Sequence, residues 1–109
     1  MDNATFDRIS RNRMEECLAL MTRVKGPEYA SSADRLSNFK RAAVLLDSTP
    51  EEALAGMWIK HVESLLSIIE SLPQTIVSRQ RFSEKANDTI NYILLLEALL
   101  AERFGWEVK

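Results

Sequence analysis

Three polar residues share one flank of an otherwise apolar stretch: Glu84, Asp88 and Asn91, spaced by four and three positions inside FSEKANDTINYILLLEALLAER, Phe82 to Arg103. On a helix that spacing makes them neighbours on one face. A second group, Lys60, His61 and Glu63, stands in PEEALAGMWIKHVESLLSIIESL. Hard cations such as Mg²⁺ take oxygen ligands, usually a few carboxylates together with substrate phosphate and water. Glu63, Glu84 and Asp88 can supply that set if the two stretches pack side by side. Lys60, one turn before Glu63, would then neutralise a phosphate as a point charge. The same residues also read as a Lys60–Glu63 surface pair and ordinary helix-end acids. His61 shares a face with Met57, Trp58, Leu65 and Ile68, so it is either a core histidine bonded to a neighbour or a substrate or metal contact. Glu15 and Glu16 form a further acidic pair with the same two readings. Tyr29, Asn38 and Phe39 are candidates to stack on and hydrogen-bond a base, or Tyr29 and Phe39 are core aromatics.

Other catalytic signatures are absent. There is no phosphate-cradling glycine loop, GxSxG, HExxH or CxxC, and the chain has only three glycines. The single cysteine, Cys17, forms no internal disulfide, fits a reducing compartment, and has no base in the sequence paired with it.

The elements that must position these residues read as helices. Phe6, Ile9, Met14, Cys17, Leu18, Met21 and Val24 recur mostly at three- and four-residue intervals, so a first helix is expected over 6–24, capped by Thr5 and ended by Gly26-Pro27. After a connector over 26–33, Asp34 or Ser32 caps a shorter helix facing Leu36, Phe39, Ala43, Leu45 and Leu46 to a core. Thr49-Pro50-Glu51-Glu52 is a capping box with proline at the first helical position. It opens a third helix running to about Leu72 and stopped by Pro73, with Leu54, Met57, Trp58, Leu65, Ile68, Ile69 and Leu72 on its apolar face. A connector over 73–81, with Ile76 and Val77 tucked in, leads to the fourth helix, capped by Ser83 and broken at Gly105. No strand pattern or internal repeat is present. These features predict one all-α domain over residues 1–109, a four-helix bundle.

A net charge of −2 offers no broad basic field, so duplex nucleic acid is not the expected partner; the basic run from Arg8 to Arg13 is broken by Ile9, Ser10 and Asn12. The polar N-terminus and the lack of a long apolar run predict no membrane partner and a cytoplasmic location.

The segments KGPEYASSADRLSNFKRAA, PEEALAGMWIKHVESL and EKANDTINYILLLEALL are similar to small bacteriophage-encoded proteins that look like distant members of the MazG-like, all-α nucleoside triphosphate pyrophosphatase superfamily. Lys25-x-x-Glu28-Tyr29, Asn38-Phe39, Lys60-His61 and Asp88-x-x-Asn91-Tyr92 carry the resemblance, which spans about Met14 to Arg103. It implies a helical bundle, often a homodimer, with Mg²⁺ held by carboxylates of two adjacent helices and a nucleoside triphosphate cut to monophosphate and pyrophosphate. Carried over, Glu63, Glu84 and Asp88 hold the metal, Lys60 and Lys25 contact phosphates, Tyr29 and Asn38 hold the nucleotide, and His61 or Asn91 orients water or substrate. The third-helix motif resembles K-x-x-E-E-x-x-E, in which Ser64 and Ser67 replace two acids here. The fourth resembles E-x-x-D, in which Lys85 replaces the glutamate and Glu84 is displaced by one position, a turn of about 100°. A non-catalytic nucleotide-binding or sequestering protein and a helical interaction module are the alternatives. The apolar residues around the third and fourth helices point to a homodimer in every version.

Overall fold

The computed structural model describes residues 1–24 and 34–109. Among them every regular element is helical. Helix α1 is Asn3–Ala19, continued by a π-helical turn, Leu20–Val24; α2 is Ser37–Leu46, α3 Pro50–Glu70 and α4 Arg79–Phe104. The four helices pack as α2 on α3, α3 on α4 and α1 on α4. The all-α architecture is as expected from the sequence.

The ends of these helices follow local chemistry. Asp2, not Thr5, caps α1: its Oδ1 accepts the Thr5 amide at 2.7 Å, and that bond holds the Asp2 carboxyl below its ordinary range. The π turn loosens the backbone ladder after Ala19, and the Met21 carbonyl accepts the Arg35 guanidinium at 2.8 Å, which ties α1 to the approach of α2. Asp34 caps the turn that leads into α2, its Oδ1 accepting the Leu36 amide at 2.9 Å. Asp47 closes α2 at φ 52°, a left-handed conformation that Asp tolerates better than most residues. At α3 the capping box forms as read: Glu52 N–H bonds Thr49 Oγ1 at 3.1 Å, and Thr49 N–H bonds Glu52 Oε1 at 3.3 Å. Ser78, rather than Ser83, caps α4, accepting the Arg81 amide at 3.1 Å. The helix therefore begins at Arg79, inside the expected connector. Gly105, at φ 65°, ends it, where a left-handed residue satisfies the terminal carbonyls without Cβ strain.

Helices α3 and α4 run antiparallel. Arg103 Nε and Nη2 clasp the Glu51 carboxylate at 2.6 and 2.7 Å, Trp58 Nε1 donates to the Thr89 carbonyl at 3.3 Å, and His61 meets Asp88. The core is small: Met21, Leu36, Phe39, Leu54, Leu95 and Leu99, flanked by half-buried Met57, Trp58, Tyr92 and Leu96. Several residues expected to face it do not. Leu45, Leu46, Ile69, Leu72 and Ile76 are exposed, because no other described helix packs over them. The radius of gyration is 16.0 Å, against about 13 Å for a compact domain of this length. No helix among the described residues is long and apolar enough to cross a membrane.

Candidate functional site

The antiparallel pairing of α3 and α4 assembles a polar cluster beside the core. His61 Nδ1 lies 3.7 Å from Asp88 Oδ2, too long for a hydrogen bond and within reach of a charge interaction. The His61 ring lies over Tyr92 with centroids 5.1 Å apart and a 30° tilt. Tyr92 in turn meets Phe39 edge-on at 6.2 Å, so α2, α3 and α4 each contribute one ring. Both the His61 and Asp88 side chains are part-exposed, so the cluster has an open side.

Asn91, one turn after Asp88, is 0 % exposed. Neither its side-chain carbonyl nor its amide nitrogen has a partner among the described residues. Buried polar atoms are nearly always bonded, and one left unpaired costs about 1–3 kcal/mol. Nearby, a groove of about 400 Å³ is lined by Asn38, Phe39, Arg41, Met57 and Tyr92, inside the size range of small-molecule sites. Arg41 Nη2 donates to Asn38 Oδ1 at 2.6 Å there.

The sequence-predicted residues are therefore only partly gathered. His61, Asp88 and Tyr92 come together, Asn38 lines the adjoining groove with Phe39, itself a core residue, and Asn91 is enclosed on α4 one turn from Asp88 and is not among the residues that line the groove. Lys60 and Glu63 stand exposed on the outward stripe of α3. Glu84 is also exposed and lines a different groove, with Glu16 and Asn87, on the α1 side of α4. The expected metal set of Glu63, Glu84 and Asp88 is not assembled: among the described residues no three His, Cys, Asp or Glu side chains are grouped to hold an ion. Glu84 lies with Glu16 and Asn87 on the α1 side of α4, and Glu63 points outward on α3, so among the described residues neither shares a pocket with Asp88. Lys25 and Tyr29 lie outside the described residues, as does the Gly26-Pro27 stop.

A second polar cluster, between α1 and α4, was not singled out from the sequence. Arg13 Nη1 donates to Asn87 Oδ1 at 2.7 Å and Nη2 to Ser83 Oγ at 2.9 Å. Asn87 Nδ2 donates to Glu16 Oε1 at 3.0 Å, and the Cys17 thiol approaches Asn87 Oδ1 at 3.3 Å. Burial pushes the Cys17 thiol above its ordinary value, with Arg13 opposing the shift. Such a thiol stays protonated and is a poor nucleophile. One signal in the sequence could have revealed Asn87: it continues the stripe of Asn91, Leu95 and Leu99 at four-residue steps, and a polar residue on a core stripe needs a partner from another helix.

Comparison of the chain with protein-family models, curated proteins and solved structures finds no match.

Proposed function

We propose that this chain binds a nucleotide at the junction of α2, α3 and α4, as a homodimer, without catalysing metal-dependent hydrolysis through its own carboxylates. The observation that carries this reading is Asn91. Its amide offers one donor face and one acceptor face, both unused among the described residues, and a paired donor and acceptor is what the edge of a base presents. Tyr92 and His61 supply a stacking surface, and Arg41, which lines the groove, supplies a cation for phosphate. This is the binding form of the MazG-like resemblance. Pyrophosphohydrolysis with Mg²⁺ is its catalytic form, and the donor set does not fit it, since Glu63 and Glu84 stand apart from Asp88.

The dimer reading rests on area. The accessible surface is 7906 Å², about 1,800 Å² more than a compact monomer of this mass would expose. Stable homodimers commonly bury 1,000–2,500 Å² on each partner, as a rough range. Ile59, Leu66 and Ile69 form an exposed stripe along α3, on which a second copy would close. Leu66→Glu is expected to convert the dimer to a folded monomer in sedimentation equilibrium; an already monomeric parent chain would overturn this part.

Thermal unfolding with each nucleoside triphosphate, with and without Mg²⁺, tests the ligand, because a ligand of the folded state raises the apparent Tm by mass action. The expected result is a rise that does not need Mg²⁺ and vanishes in Asn91→Leu. A rise that requires Mg²⁺ and vanishes in Asp88→Ala would replace binding by the hydrolase reading. No rise with any nucleotide would leave a helical interaction module.

A further inference from the structure

A cleft of about 830 Å³ lies between the first half of α1 and the start of α4, and shares no lining residue with the groove proposed for the nucleotide. Arg8, Arg13 and Arg79 line it, with Glu16 as its only acid; Ile9 and Phe82 give it an apolar floor. Its central cation is held in place. Arg13 is fixed by Asn87 and Ser83, both neutral acceptors, and lies over the Phe82 ring at 5.5 Å from the centroid. Its one ion pair among the described residues is with Glu16, at 3.4 Å, and that carboxylate also receives the Asn87 amide. Arg8 donates to the Thr5 hydroxyl at 3.2 Å, again a neutral partner, and Arg79 has no acidic partner among the described residues. Three arginines thus line one cleft whose single acid among the described lining residues is Glu16, and Arg79 also borders the neighbouring groove that holds Glu84.

We infer that this cleft is a second binding site, for a small organic phosphate whose ring or aliphatic body lies on Ile9 and Phe82. Guanidinium groups recognise phosphate through paired N–H donors. Two of the donors of Arg13 go to Asn87 and Ser83, so its plane is set before the ligand arrives and little side-chain entropy is lost on binding. Arg8 on α1 and Arg79 on α4 border the cleft from opposite walls and add to its positive charge. The floor distinguishes this site from a merely basic surface. An anion without an organic body gains only the electrostatic part, whereas a ring adds contact with Phe82 and Ile9.

The test compares inorganic phosphate with phenyl phosphate by calorimetric titration of the full chain at low salt. Phenyl phosphate is expected to bind at least about tenfold more tightly, a difference of roughly 1.4 kcal/mol. Arg8→Ala with Arg79→Ala should weaken both ligands, and Phe82→Ala should bring the two affinities together. Both sets of substitutions change exposed side chains, and circular dichroism checks that the helices persist. The site is independent of the nucleotide reading, so Asn91→Leu should leave phenyl phosphate binding unchanged. Equal affinity for the two ligands would overturn the organic body, and phenyl phosphate binding that survives the double arginine substitution would overturn the site.

Discussion

Two asparagines four residues apart on α4 are both buried, Asn87 at 2 % and Asn91 at 0 % exposure, and they live in opposite circumstances. Asn87 faces α1 and is bonded on both ends of its amide: the oxygen receives Arg13 and Cys17, and the nitrogen reaches Glu16. Asn91 has no partner on either end among the described residues. Burial of a polar group is tolerable when a network closes around it and costly when it does not. The closed amide therefore acts as structure, joining α1 to α4. The open one carries a cost in stability that the closed one does not, and under the proposed reading that cost is what keeps a binding group available.

This contrast can be broken from either side. The largest effect is expected from Asn87→Leu, which strips Arg13, Glu16 and Cys17 of their shared partner at once. Unfolding in urea should show a loss of roughly 2–4 kcal/mol, since hydrogen bonds to charged groups and the strandings that follow their loss are among the costlier single changes. The Cys17 thiol should also alkylate faster in that variant. A loss no larger than that of an exposed substitution would mean the network is ornamental.

Asn91→Leu should do the reverse. Replacing an unpartnered buried amide by an apolar side chain of similar size is expected to raise the stability of the ligand-free protein by about 1–3 kcal/mol. The ligand-dependent rise should disappear in the same variant. A marked fall in stability would show that Asn91 is bonded as firmly as Asn87, and the comparison would collapse.

The smallest effect belongs to the Glu51–Arg103 clasp at the far end of the α3–α4 pair. The two Arg103 hydrogen bonds hold the Glu51 carboxyl below its ordinary range. A group with a depressed folded pKa contributes stability above its unfolded value, and that contribution fades as pH falls through the folded one. Glu51→Gln should therefore cost a little Tm at neutral pH and remove part of the loss seen on acidification below the ordinary carboxylate range. The pair is largely at the surface, so salt should shrink the difference.

What could be read in advance followed the range of the interaction. The Thr49–Glu52 box, the stop at Gly105 and the inward faces of Phe39 and Leu54 depend on neighbours within a turn or two, and the sequence shows these neighbours directly. The caps at Asp2 and Ser78 were displaced because Thr5 and Ser83 were equally plausible candidates by residue type. In the fold, Ser83 is occupied by Arg13 instead. The Arg13–Asn87 bond joins positions 74 apart, and no local pattern announces it. Periodicity likewise marked Ile69 and Leu72 as apolar-facing, but it has no way to say whether the facing surface lies in the same chain. The carboxylates Glu63, Glu84 and Asp88 show the same limit: a shared helical face is legible in the sequence, but which neighbouring helix that face meets is not.

The stripe of α4 that reads Asn87, Asn91, Leu95, Leu99 has one more consequence. Helices joined along a uniformly apolar seam can slide past one another by a turn, about 5.4 Å, and find new contacts almost as good. Here a slip would carry an amide into the place of a leucine against Met21 and Phe39, and a leucine into the place that Arg13 and Glu16 address. The seam is polar at one end and apolar at the other, so only one alignment lets Asn87 meet Arg13 and Glu16 while Leu95 and Leu99 meet the core. Asn87 thereby sets the registration of α4 against α1.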